Sequence, residues 1–280
     1  MDYDYSGYSD LALERRQLNT DIEGVSYIKE IGEYGEWERI EIQSIEGEKS
    51  IGRPRGVYDT LRLPDMNTLD ESEIDEAKNE IAKELCRMCE YLTVTPMRIL
   101  VVGLGNEELT PDALGPQSAK IVKPTLHISK SDWELFDSLD CSEIAVICPD
   151  VKVHSGLESR EVVKGVCESV SPDVVIAIDS LASTSPTRLG NTIQISSTGI
   201  IPGAGLGNRQ GAINEAALGV PVIAVGVPTI IDSRCFISGA DNGNIGGGMF
   251  VSPKEINEIV AIAARIIGGG INQAFGINAF

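Results

Sequence analysis

Histidine is nearly absent from this chain of 280 residues; the two that occur are His127 and His154. A serine nucleophile would have only His154 as its base, and no Gly-x-Ser-x-Gly elbow is present to offer one, which disfavours a serine hydrolase. Cation is also short: 23 Lys and Arg stand against 42 Asp and Glu, a net charge of -19. Such a balance opposes binding to phosphate backbones and to anionic membrane surfaces, so no nucleic-acid or membrane partner is expected. No apolar run reaches the roughly 18 to 20 residues of a spanning helix, and the first thirty residues are polar and acidic, unlike a signal peptide. A cytoplasmic protein is expected. Cys86-Arg-Met-Cys89 has the spacing of a redox or zinc pair, but a second pair is lacking and both histidines are distant in sequence. Most of the six cysteines lie in apolar segments and read as small core residues, with no disulfide framework, metal or cofactor expected.

What is present is enough apolar residue, 42% of the chain, for one large core. Residues 1–20 lack sustained periodicity and read as a mobile N-terminal arm, and residues 21–280 as a single α/β domain. Short strands are expected between Val25 and Leu63, forming a small β-rich portion. Ile74, Ala77, Ile81, Leu85, Met88 and Leu92 recur at steps of three and four, the face of a helix of about twenty residues that Pro96 ends. Beyond it, apolar runs (99–104, 144–148, 174–178, 220–227) alternate with helical segments near 113, 158–170, 211–218 and 253–267. Continuous Val/Ile runs separated by helices predict a mostly parallel, twisted sheet covered by helices on both faces.

In such a sheet, ligands bind beyond the carboxyl ends of the strands. Three segments stand there. Gly103-Leu-Gly-Asn106 leads to Thr110-Pro-Asp112, where Asp112 suits either a helix cap or a catalytic acid. The missing third glycine, and Glu107 and Glu108, argue against a dinucleotide loop. Asp179 closes the apolar run Val174–Ile178; an acid there is either braced by backbone donors or kept for use. Thr198 to Arg209 holds Gly203, Gly205, Gly207 and Asn208, whose backbone either approaches a ligand closely or makes a plain surface turn. If Asp112 and Asp179 meet, mutual repulsion keeps one of them protonated, and the pair can activate water against a peptide carbonyl.

Together these motifs resemble the germination proteases of spore-forming bacteria. The resemblance is carried by Ser9-Asp10-Leu11-Ala-Leu-Glu14, Ile51-Gly-Arg-Pro-Arg-Gly-Val-Tyr58, Gly103-Leu-Gly-Asn106, Thr110-Pro-Asp-Ala-Leu-Gly-Pro116 and Val175-Ile-Ala-Ile-Asp179. Asn191-Thr-Ile-Gln-Ile195, Thr198-Gly-Ile200 and Gly219 to Thr229 add to it. It implies an atypical aspartic endopeptidase that degrades small acid-soluble spore proteins in the forespore and spore core, made as a zymogen, assembled as a homotetramer and needing no metal. Its essential aspartates fall on Asp112 and Asp179, with Gly203, Gly205, Gly207, Asn208 and Asn106 expected to hold substrate. Loss of a propeptide of about residues 1–10 maps to a cut between Asp10 and Leu11. The chain departs from the family where Asp150 and Val153 replace glycines, and where Ser180-Leu-Ala-Ser183-Thr184 stands in place of Ala-Leu-Ala-Ala-Arg. These departures leave open a divergent paralogue that cleaves or only binds another spore protein. The fold also looks like that of the hydrogenase maturation endopeptidases, whose nickel-guided mechanism is disfavoured because no histidine follows Asp179.

Overall fold

The computed structural model describes residues 9–17, 22–203, 211–236 and 249–276. The N-terminal third is an antiparallel ribbon built on alternating side chains. A short helix, α1 (Ala12–Gln17), precedes β1 (Val25–Ile31), β2 (Glu36–Ile42), helix α2 (Ile45–Ile51) and β3 (Gly56–Arg62). The long amphipathic helix α3 (Glu71–Tyr91) follows, started by a capping box in which Asp70 and Glu73 satisfy each other's backbone N–H groups. Ile74, Ala77, Ile81, Leu85 and Met88 form its buried face, as the periodicity predicts.

From Arg98 the chain alternates strand and helix. In order come β4 (Arg98–Gly103), α4 (Leu114–Ile121), α5 (Leu126–Ser131), α6 (Trp133–Ser138) and β5 (Glu143–Ile147). Then follow α7 (Lys152–Ser155), α8 (Ser159–Val170), β6 (Val174–Ser183), β7 (Thr192–Ser196) and α9 (Glu215–Leu218). The last are β8 (Val222–Asp232), β9 (Phe250–Val251) and α10 (Ile256–Phe275).

Among the described residues nine strands form one sheet in the order β1-β2-β3-β7-β8-β6-β4-β5, with β9 paired to β8. The part that carries the candidate acids is parallel: β5, β4, β6 and β8. Strand β7 then joins antiparallel to both β8 and β3, so the N-terminal ribbon continues the same sheet. Helices cover both faces, as expected of this α/β class. Ile99, Val101, Ile176 and Ile178 pack with α3, α4 and α10, whereas Leu100, Val102, Val175 and Ala177 pack with Val163 and Cys167 of α8. Successive strand residues enter opposite cores, and for that reason these runs contain no polar position. Among the described residues no helix is long and apolar enough to cross a membrane.

Two segments differ from the sequence expectations. Helix α10 does not stop at Ile267 but runs through Gly268-Gly-Gly270, normally a helix-weakening triplet. A Cβ on Gly268 would lie 2.7 Å from Ile121 Cβ and from the Ser118 carbonyl, and one on Gly270 would lie 2.7 Å from Ile81 Cγ2. The glycines are there to let α10 approach α4 and α3 closely. Residues 9–16 are packed, where a mobile arm was expected. Leu11, Ala12 and Leu13 are fully buried, and Ala12 and Leu13 share a cluster with Ile40, Ile42, Ile51 and Tyr58. Three apolar residues in a row show no periodicity, so only the tertiary groove reveals them as core.

Candidate active site

The turn after β4 is shaped by glycine. Gly105 has φ +107°, and a Cβ there would fall 2.1 Å from the carbonyl oxygen of Asp112, so the chain can fold back over itself only with glycine at this position. The fold-back brings the Asn106 N–H to within 2.8 Å of Asp112 Oδ2. Asp112 therefore does not cap a helix: α4 begins at Leu114 with no side-chain cap, and the carboxylate turns toward the strand ends instead. The Asn106 side chain accepts from the Glu108 N–H at 2.8 Å, bracing the loop. Burial raises the Asp112 carboxyl above its ordinary range, and the Asn106 N–H partly offsets the rise.

Asp179 follows the last apolar residue of the β6 run and is 4% exposed. Its carboxyl is raised well above the ordinary value, first by burial, then by the charge of Asp112 and then by that of Asp10; a 2.9 Å hydrogen bond from the Ser180 N–H opposes the rise. Among the described residues no salt bridge reaches either Asp112 or Asp179. Asp179 thus senses the charge of Asp112, the other expected catalytic aspartate, and a third acid, Asp10, acts on it as well.

Asp10 stands there because residues 9–11 run along the groove just ahead of α1, which begins at Ala12. Its N–H donates to the Ala182 carbonyl at 2.9 Å, and the Ala182 N–H donates to Asp10 Oδ2 at 2.9 Å. Arg53 donates to the Ser9 carbonyl and lies 3.5 Å from Asp10 Oδ1. On the other side, Gln194 Nε2 donates to the Asp10 carbonyl at 3.2 Å, while Gln194 Oε1 accepts from the Ala12 N–H at 3.0 Å. Further along, the buried Glu14 carboxylate has no salt bridge among the described residues. It accepts from the Ser9 hydroxyl at 2.5 Å, the Thr184 N–H at 2.7 Å, the Thr184 hydroxyl at 2.6 Å, the Ser185 N–H at 3.2 Å and the Ser183 hydroxyl. Here Ser183 and Thr184, two of the expected departures, acquire a use, since both hydroxyls bind a carboxylate.

A cavity of about 280 Å³ opens beside this segment, lined among others by Asp10, Asp112, Ser180, Gly203, Thr229 and Phe250. Gly203 thus sits at the site, while Gly205, Gly207 and Asn208 lie outside the described residues. Asp150, one of the departures, has a left-handed φ of +62°, a conformation that aspartate tolerates better than most residues. His154 contacts Asp150 at 3.2 Å, and Val153 is exposed. The sequence reading missed Gln194, Arg53 and the Ser183–Ser185 turn. The one available signal was a glutamine inside the apolar run Ile193-Gln-Ile195.

The parallel strand ends gather carboxylates around residues 9–14 of the same chain, and sequence comparison places the protein in the peptidase class. The profile described as germination protease matches residues 9–242, so the chain belongs to the germination protease family. A germination protease of Clostridium perfringens is 35% identical over 98% of this chain and 96% of its own length. One from Caldanaerobacter subterraneus is 43% identical over 80% of this chain and 69% of its own length. Among solved structures, a NiFe hydrogenase maturation protease from Thermococcus kodakarensis aligns with 63% of this chain and 94% of its own, at 18% identity and a TM-score of 0.34.

Proposed function

We propose that this peptidase is an aspartic endopeptidase that first cuts its own chain between Asp10 and Leu11 and then degrades small acid-soluble spore proteins in the spore core, as a homo-oligomer. The observation that carries the reading is the seating of Ser9–Glu14 across the strand ends, with Asp10 close enough to perturb Asp179.

The unequal environments divide the labour. Asp179, fully enclosed and next to two other acids, holds a proton; Asp112, half-buried and lining the cavity, is the carboxylate. Asp112 takes a proton from water as the water oxygen bonds to the carbonyl carbon, and Asp179 gives its proton to the carbonyl oxygen. The tetrahedral carbon then expels the amine: the C–N bond breaks, the leaving nitrogen takes the proton from Asp112, and Asp179 regains one from the hydroxyl. Atoms and charges balance, and the pair returns to its starting state. Gly203 and the glycine-rich stretch with Gly205, Gly207 and Asn208 are assigned to the substrate main chain, and the Ser183–Ser185 turn to an acidic side chain.

The test is digestion of a purified small acid-soluble spore protein by the full chain, with and without a chelator, beside Asp112→Asn and Asp179→Asn. Cleavage that survives chelation and vanishes in both variants is the expected result. A folded, unmutated chain that cuts neither itself nor the spore protein would leave a peptide-binding relative as the better reading.

A further inference from the structure

Gln194 sits on β7 between Ile193 and Ile195, both of which enter the apolar core, while its own side chain faces the opposite side of the sheet. The backbone register places it beside the acids. Asp179 of β6 is directly opposite Gly226 of β8, and Gly226 is directly opposite Gln194. Residues opposed across a ladder share a face, and neighbouring strands are about 4.8 Å apart, so Asp179 and Gln194 flank a slot of about 10 Å. The middle position carries no side chain, and a Cβ there would meet the Leu181 side chain at 2.6 Å and the Asp179 carbonyl at 2.8 Å. The segment around Asp10 and Leu11 is held at this slot, with Ala182 on one side and Gln194 on the other.

The orientation of the amide follows from chemistry. The Ala12 N–H is a donor, so the Gln194 atom 3.0 Å from it must be the oxygen, which turns the NH2 group toward the Asp10 carbonyl oxygen at 3.2 Å. That carbonyl belongs to the Asp10–Leu11 peptide bond. We propose that Gln194 is a catalytic residue: its Nε2–H group holds the oxygen of the carbonyl under attack and stabilises the negative charge gathering there before Asp179 delivers its proton. The inference rests on the reading of Asp10–Leu11 as a cleaved bond. A donor fixed before the reaction is effective because it needs no reorganisation, and β7 is fixed by pairing to Thr60 of β3 and Gly226 of β8. A neutral donor also suits this site, since a cation would favour ionisation of both aspartates and end their proton exchange.

The experiment follows the first-order appearance of the Leu11 amino terminus in the full chain between pH 5 and pH 8. Gln194→Met keeps the volume without the donor and is expected to slow the cut about 10²- to 10³-fold at unchanged melting temperature. Gln194→Glu is expected to be slow when ionised and to regain rate relative to the unmutated chain as pH falls. Both ionisation states of the new carboxyl accept from the Ala12 N–H and only the neutral one donates to the Asp10 carbonyl, so a glutamine needed merely to seat Ala12 would show no such recovery. Self-cutting by Gln194→Met within about 3-fold of the unmutated rate overturns the assignment. Should that variant fail to fold, a pH-independent ratio for Gln194→Glu overturns it instead. Cleavage only at another bond removes Gln194 and leaves peptide hydrolysis standing, whereas no cleavage of any protein removes both.

Discussion

Two groups of buried acids in this chain have opposite surroundings. On the antiparallel ribbon, Asp59 of β3 and Glu84 of α3 share Arg39 of β2, which donates to Asp59 at 2.6 and 2.5 Å and to Glu84 at 2.9 Å. At the parallel strand ends, Asp112 and Asp179 have no salt bridge among the described residues, and Asp10 meets Arg53 only at 3.5 Å. The ribbon group is a brace: a bidentate guanidinium ties strand to strand, and Glu84, pushed up to about 9 by burial and by Asp59, shares a proton within the cluster. The strand-end group is left under mutual repulsion and opens onto a cavity. The ribbon acids are tied by a cation and brace the fold, whereas Asp112 and Asp179 have none among the described residues.

Substitutions can break that contrast from either side. The largest effect is expected from Asp112→Asn or Asp179→Asn, each lowering peptide hydrolysis by about 10³-fold or more in a turnover assay, with folding intact. Arg39→Met should cost about 3 kcal/mol of unfolding free energy in urea titration, because it strands buried carboxyls, while turnover per folded molecule stays the same. Loss of turnover without loss of stability would mean the ribbon belongs to the site. Glu14→Gln removes the charge that five donors surround, and should loosen residues 9–14 by about 1–2 kcal/mol, seen as faster amide exchange at Ala12.

The smallest effects concern pH. Asp179 and Glu84 have folded-state values above their unfolded ones, so the folded chain binds their protons more tightly. Their contribution to stability is full below the unfolded value and falls as pH rises through the window up to the folded value, which for Glu84 runs from about 4.5 to about 9. Asp179→Asn removes an ionisable group the fold disfavours, and should raise the melting temperature by about 2–4 °C at pH 7 but not at pH 4. Glu84→Gln should flatten the decline in melting temperature between pH 5 and pH 9. A steeper decline would show that the brace needs that proton.

Much of the site was legible because strand ends are. An apolar run that closes on an acid, as at Ile178-Asp179, and a glycine pair that delivers one, as at Gly103–Asp112, are local patterns. Whether Asp112 caps a helix was not a local question: it turned on where the carboxylate points, which the Gly105 fold-back decides. Ser9–Glu14 showed only a resemblance, since its partners Ala182, Ser183–Ser185 and Gln194 lie some 170 to 180 residues away in the chain. The Gly268–Gly270 stretch read as a helix end because propensity is a weak prior against close helix packing.

By itself the sequence determined the α/β class and the family, and it singled out Asp112 and Asp179 as candidates, because hydrophobic period and residue chemistry act over a few neighbours. Tertiary structure alone decided which acids lose their cation, that Asp10 joins Asp112 and Asp179, and that a glutamine faces them across Gly226. Electrostatic shifts and hydrogen bonds depend on distances through space, and only the closed sheet sets those distances.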